Sequence, residues 1–155
     1  MTTSPDSARP NEAVIPHGRD IDREQSNLVR HLALTKTMIL TSYKQDGTPV
    51  TTPVSVAVRD KRAFFRTYDK AWKVKRLGRD PRIEVTPSTF RGEPRGMPLP
   101  ARARLLQGQS DIALARHALA KRHPFLQALV VPLTHRLARY ETLHYEVLPR
   151  SREET

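Results

Sequence analysis

The sequence predicts an α+β fold built on a small barrel, and three observations carry that reading. Six short stretches have the β-prone or alternating pattern of half-buried strands. The first three follow one another through connectors that allow only antiparallel hairpins. Helix-period segments are inserted between later strands, giving the order βββ-α-ββ-α-β after an N-terminal helix. At 155 residues the chain fits one domain that can bury a core without staples.

Residues 1–19 mix Ser, Thr, Pro, Asp and Asn with few large apolar side chains, so a disordered tail is expected ahead of a single domain over 20–150. Asp20 to Leu34 supports a helix, with Ile21, Leu28 and Leu32 on one side and Asp20 or Asp22 as its cap. Thr37 to Tyr43 and Val50 to Val58 read as strands joined by a turn at Gln45-Asp46-Gly47-Thr48. Pro49 and Pro53 lack the N–H that a ladder needs, which favours an edge or a bulge in the second strand.

Ala63 to Val85 carries the densest signal. Ala63 to Thr67 is a strand, Tyr68 to Trp72 a turn, and Val74 and Leu77 share one face of a short helix. Gly78 reads as its stop, Pro81 forbids continuation, and Arg82 to Thr86 returns to strand alternation. A helix N-terminus therefore follows a strand end. Its free N–H groups attract an anion, whereas Lys70 and Lys73 oppose the dipole by about 0.3 to 1 kcal/mol. An anion bound there would relieve the conflict; a plain solvated basic helix fits the same residues.

Pro87 to Leu99 is expected to be a long mobile hairpin connection, followed by a strand from Pro100 to Gln107. Asp111 is read as the cap of a helix to about Arg122, with Ile112, Ala115, Ala118 and Leu119 as its buried face, broken at His123-Pro124. Phe125 to Arg139 is a helical pattern interrupted by Pro132. Glu141 to Leu148 closes the chain as a strand in which Leu143, Tyr145 and Val147 alternate with Thr142, His144 and Glu146.

Composition narrows function. There are 27 Lys plus Arg against 16 Asp plus Glu, a net charge of +11 that attracts nucleic acid, an anionic cofactor or an acidic membrane surface alike. No aromatic-rich strand of the RNA-binding kind is present. The absence of Cys removes disulfides, thiolate nucleophiles and Cys-based metal sites, and fits a cytoplasmic setting. No apolar run approaches a membrane span, and no h-region opens the chain. Neither a P-loop nor a G-x-G-x-x-G is present, Ser42, Ser55, Ser88 and Ser110 lack a nucleophile-elbow context, and the six His offer no i, i+4 pair. No metal site and no side-chain nucleophile are expected.

LTSYKQDGTPVTTPVSVAV, FFRTYDKAWKVKRLGRDPRIEV and ARARLLQG together resemble the pyridoxamine 5′-phosphate oxidase-like family, over roughly residues 30–148. The GTPVTTPV strand, the KVKRLGRDPR run and the ARARL strand look like its deazaflavin (coenzyme F420)-dependent oxidoreductase subgroup. The resemblance implies a six-stranded split β-barrel (FMN-binding, PNPOx-like) with peripheral helices, usually a homodimer with cofactors at the interface. In the flavin branch a Thr near the strand end and a Lys four residues before a Leu lie close to the cofactor phosphate; Thr67, Lys73 and Leu77 match these places. Trp72 stands where that branch commonly has Arg, and Arg66-Thr67-Tyr68 replaces its Thr-Asn pair. These departures, with Lys70 and Arg76 as added charge for an oligo-anionic tail, favour F420 over the alternative, FMN. Thr52, Pro53, Val54 and Ser55 would flank the ring, although a bulged edge strand explains them equally well. Trp72 would shield the cofactor or anchor a core, and Arg102 and Arg104 would line the tail path.

The expected function is thus an oxidoreductase passing hydride between bound F420 and a small molecule, chemistry that resides in the cofactor and needs no catalytic side chain. The alternatives are an FMN-binding relative, a non-catalytic flavin or deazaflavin carrier and, behind these, a basic nucleic-acid-associated protein without sequence specificity.

Overall fold

A computed structural model describes residues 18–123 and 141–150. The expected tail and the helical pattern over 125–139 lie largely or wholly outside them. The elements are α1 (Gly18–Ala33), β1 (Thr37–Tyr43), β2 (Pro49–Arg59), β3 (Arg62–Tyr68), α2 (Trp72–Arg79), β4 (Arg82–Ser88), β5 (Leu99–Leu105), α3 (Gln109–Arg122) and β6 (Thr142–Pro149). All six strands pair antiparallel and close into a barrel in the order β1-β2-β3-β6-β5-β4.

The first hairpin forms where Asp-Gly predicts it. Asp46 Oδ1 accepts the Thr48 N–H at 3.0 Å, and Gly47 adopts the positive φ (88°) that a side chain would resist. The second hairpin turns through Asp60 and Lys61 at φ 52° and 60°, both left-handed without glycine. Pairing of Arg59 with Arg62 makes this a two-residue loop, whose twist demands that conformation.

Strand alternation sends Met38, Leu40, Val54, Val56, Ala63, Phe65, Ile83, Val85, Tyr145 and Val147 into one core, sealed by Leu28 and Leu32 of α1 and Leu77 of α2. Phe65 and Tyr145 stack there, with ring centroids 5.0 Å apart. A second core lies outside the barrel, where Ala115, Ala118 and Leu119 of α3 cover Ala57, Phe64 and Leu106.

That second core corrects the reading of β6. Thr142 is half-buried, but His144 and Glu146, expected on a polar face, are buried because α3 packs over β3 and β6. Glu146 is 4% exposed and is held by Arg62, with Nε to Oε1 at 2.8 Å and Nη2 to Oε2 at 3.0 Å, and by Arg104 Nη2. Arg62 also donates to Asp111 Oδ1 at 3.0 Å.

Three boundaries differ from expectation. Helix α2 runs through Gly78 to Arg79, because the stop comes from Pro81, which forces Asp80 into extended backbone (φ −137°, ψ 106°). Helix α3 begins after Gly108, so Asp111 lies in its first turn and takes Arg62 instead of capping. Helix α1 already includes Gly18, leaving Asp20 within the first turn. The 89–98 connection is a tied-back hairpin: Thr89 N–H donates to Glu93 O, Arg95 N–H to Pro87 O, and Ser88 bridges Pro94.

Burial raises the Glu146 carboxyl pKa, but hydrogen bonds from Arg62 and Arg104 outweigh this and hold it below the usual range. Its stabilisation is therefore complete above the ordinary carboxylate range and is lost as pH falls through the depressed native value. Glu146→Ala should cost about 3 kcal/mol of unfolding free energy by urea titration at pH 7, the low end for unpairing a buried charge, because Arg62 and Arg104 still reach water. A loss under about 0.5 kcal/mol, the range of an inert surface change, would remove the network from the fold's supports.

Candidate functional site

One opening in the barrel wall lies between β2 and β3. Their ladder runs from Arg59–Arg62 to Val56–Phe65 and stops. From Pro49 to Ser55, β2 pairs with β1 alone, while Arg66 to Tyr68 pair with β6 alone. The prolines explain why this is tolerated. Val56 N–H donates to Lys36 O on the β1 side, so alternation turns the odd-numbered positions, including Pro49 and Pro53, toward the open side. The missing N–H groups thus cost β1–β2 nothing. The register of β1 with β2 is continuous, so the prolines mark an edge and not a bulge.

Two part-buried cations lie on β3 and on the helix that follows it. Arg66 lies on β3 beside the split, where burial pushes its guanidinium pKa down. Lys73, in the first turn of α2, is likewise lowered by burial and by Arg76 nearby. A cation taken from water without a matching anion is costly, so both groups favour an anionic partner. The α2 terminus has the same bias: its N-cap is Ala71, with no side-chain cap bond, and its first turn holds no acid.

The other expected site residues divide. Pro53, Val54 and Ser55 line a cleft, described next, while Thr52 lies in the same strand opposite Leu40. Thr67 is buried beside Arg66. Arg76 Nε donates to Ser42 Oγ at 2.8 Å, which ties α2 to β1. Trp72 is 72% exposed, with Lys75 Nζ 4.6 Å from its ring centroid, so it anchors no core. Lys70 is exposed in the turn before α2. Arg104 is engaged with Glu146, and both Arg102 and Arg104 lie on the exposed face of β5.

The cleft, about 580 Å³, lies where the start of β1, Pro53–Ser55 of β2, Ser88–Phe90 and the end of α3 meet. Sequence reading missed Thr35, Ser88, Arg122 and His123 as lining residues. His123-Pro124 read only as a helix break, and no local motif marks side chains brought together by sheet closure. Arg122 Nη2 donates to Ala33 O and Thr35 O at 2.7 and 2.8 Å, fixing the guanidinium. Three buried polar atoms of the lining, Thr35 Oγ1, Ser88 Oγ and Arg122 Nε, have no hydrogen-bond partner. Such atoms cost about 1 to 3 kcal/mol each unless water or a ligand meets them. Burial holds His123 below its usual pKa, with Arg66, Lys36 and Arg122 adding to this against the Val56 carbonyl.

Solved structures with the same fold were found for this chain. It superposes on an FAD-binding protein of Mesorhizobium loti with TM-score 0.54 and 15% identity, covering 81% of this chain and 87% of that one. A Listeria innocua protein provisionally identified as a pyridoxamine 5′-phosphate oxidase gives TM-score 0.58 and 13% identity over 82% and 94% of the two chains. A heme-binding protein of Mycobacterium smegmatis gives TM-score 0.57 and 18% identity over 80% of this chain, which spans 50% of that protein's length. The shared fold is a split barrel, six antiparallel strands closed on themselves with helices packed outside. No protein-family model matches the sequence, and a search of curated proteins finds no relative. No group of metal-ligating side chains and no membrane-crossing helix occurs among the described residues.

His144, paired with Arg66 across β3 and β6, has its pKa lowered to about 4 by burial first and then by Arg116 and Arg66. Between pH 6.5 and about 4 the unfolded chain binds a proton that the native ring refuses, so stability falls as pH drops through that window. NMR titration of the ring should show no protonation at pH 5.5, and His144→Gln should flatten the acid side of the stability curve. A ring titrating near 6.5 would contradict the burial and charge described here.

Proposed function

We propose that the chain is an oxidoreductase that holds a flavin-type anionic cofactor, coenzyme F420 ahead of FMN, at the opening between β2 and β3. The observation that carries this reading is the split beyond Val56 and Phe65 with two desolvated cations near it in sequence, Arg66 on the β3 edge and Lys73 in the helix that follows β3. The residues fit such a group. Lys73, the uncapped α2 terminus and Thr67 would hold its phosphate, Lys70 and Arg76 its acidic tail, and Thr52 to Ser55 its ring. When bound, the cofactor supplies the hydride chemistry. The chain itself supplies charge and an apolar wall at Val54. The solved FAD-binding neighbour supports a flavin-type ligand, and the oligo-anionic tail of F420 accounts for more of the +11 charge than FMN would.

The reading includes a homodimer, supported by the exposure of Phe90, Met97 and Trp72, large apolar side chains that a second copy would cover. Light scattering at tens of micromolar checks this, and a monomer would leave the site to one chain. A nucleic-acid role is weaker, because Arg62, Arg82 and Arg104 are engaged by Glu146, Asp111 and Asp80 and form no common tract. A carrier without turnover would bind cofactor but reduce nothing when given the reduced form and candidate substrates.

Trp72 is the sole Trp and lies at the start of α2, so its fluorescence reports cofactor binding directly. F420 should quench it and bind more tightly than FMN, and Lys73→Ala should weaken binding by about 1.5 to 3 kcal/mol with an unchanged melting temperature. Between 50 and 200 mM salt the affinity should fall modestly, against a fall of about a thousandfold for duplex DNA held by six or more phosphates. Equal F420 affinity in wild type and Lys73→Ala would remove this lysine from the site. Binding of hemin with no binding of either flavin would replace the reading with the heme binding of the Mycobacterium smegmatis neighbour.

A further inference from the structure

We infer that the cleft at the end of α3, which adjoins the split along Pro53 to Ser55, binds the oxyanion head of a small apolar molecule through Arg122, Thr35 and Ser88. Its described lining residues include Lys36, Arg95 and Arg122 but no Asp or Glu, so its field has one sign. Arg122 is not a loose surface cation. Two backbone carbonyls fix its Nη2, and its Nε–H is buried without an acceptor. Ser88, only 2% exposed, and Thr35 each add a buried hydroxyl oxygen without a partner, and such a hydroxyl can turn its proton toward a negative oxygen. Val54, Pro53 and the exposed ring of Phe90 give the remaining wall an apolar character suited to the body of the ligand. About 580 Å³ is the size of ordinary small-molecule sites.

A water molecule would satisfy these donors too, but water explains neither the three cations nor the apolar wall. A carboxylate and a phosphate monoester share the required chemistry. Identifying this molecule as the substrate rests on the oxidoreductase reading, because Pro53 to Ser55 border both the split and the cleft. The binding itself does not depend on that reading.

The test is calorimetric titration of the full chain with benzoate, phenyl phosphate and neutral benzamide at fixed ionic strength. At least one of the two anions should bind about tenfold or more tightly than benzamide, the order of one charge-assisted hydrogen bond, and the tighter anion names the head group. The double variant Thr35→Val with Ser88→Ala removes only unpartnered hydroxyls, so it should melt no lower than wild type yet lose about tenfold in affinity for that anion. Ser88→Ala alone serves if the double variant fails to fold. Absence of binding, benzamide binding as tightly as both anions, or unchanged affinity in the folded variant each overturns the inference. None of these probes contains a flavin ring, so a failed cofactor titration and a failed anion titration are separate outcomes.

Discussion

The site depends on the early end of one ladder. Beyond Val56 and Phe65, β2 and β3 part, and the barrel closes through β1–β4 and β3–β6 instead. An unpaired edge is ordinarily a liability, since free N–H and C=O groups invite another strand. Here Pro49 and Pro53 remove two donors from the open side without weakening the β1 side. The edge is poorly suited to strand addition and remains accessible to a ligand.

Charge follows the same division. Where the barrel is closed, cations have protein partners: Arg62 and Arg104 converge on buried Glu146, and Arg82 grips Asp80. Where it is open or cleft, Arg66, Lys73 and Arg122 are desolvated or fixed with donors left over. This contrast separates structural from ligand-seeking charge better than the net value of +11 does. The two histidines among these cations are held neutral, so they add no further repulsion near pH 7.

Much of the fold was legible because its signals are local. Asp46-Gly47 sets one hairpin, the Leu28 and Leu32 spacing orients α1, and Pro81 ends α2. The misreadings arise where tertiary packing or a stronger neighbour wins. Gly78 is compatible with a helix that proline stops anyway, and Asp111 serves Arg62 because that guanidinium already lies over β6 to meet Glu146. His144 and Glu146 alternate as a solvent face would, yet α3 lies over that face, and no pattern within β6 records it. Thr52 to Ser55 fall on β2 and Arg66 to Lys73 run from β3 into α2, whereas the cleft joins residues from 35 to 123 whose proximity only barrel closure creates.

The most direct measurement is hydrogen–deuterium exchange on the full chain with and without F420. The account predicts that F420 slows exchange at Ser55, whose amide points to the open side of β2, and in the first turn of α2, while the paired amides of β4 and β5 do not change. F420 binding with protection confined to other strands, or no protection at saturating F420, would contradict it.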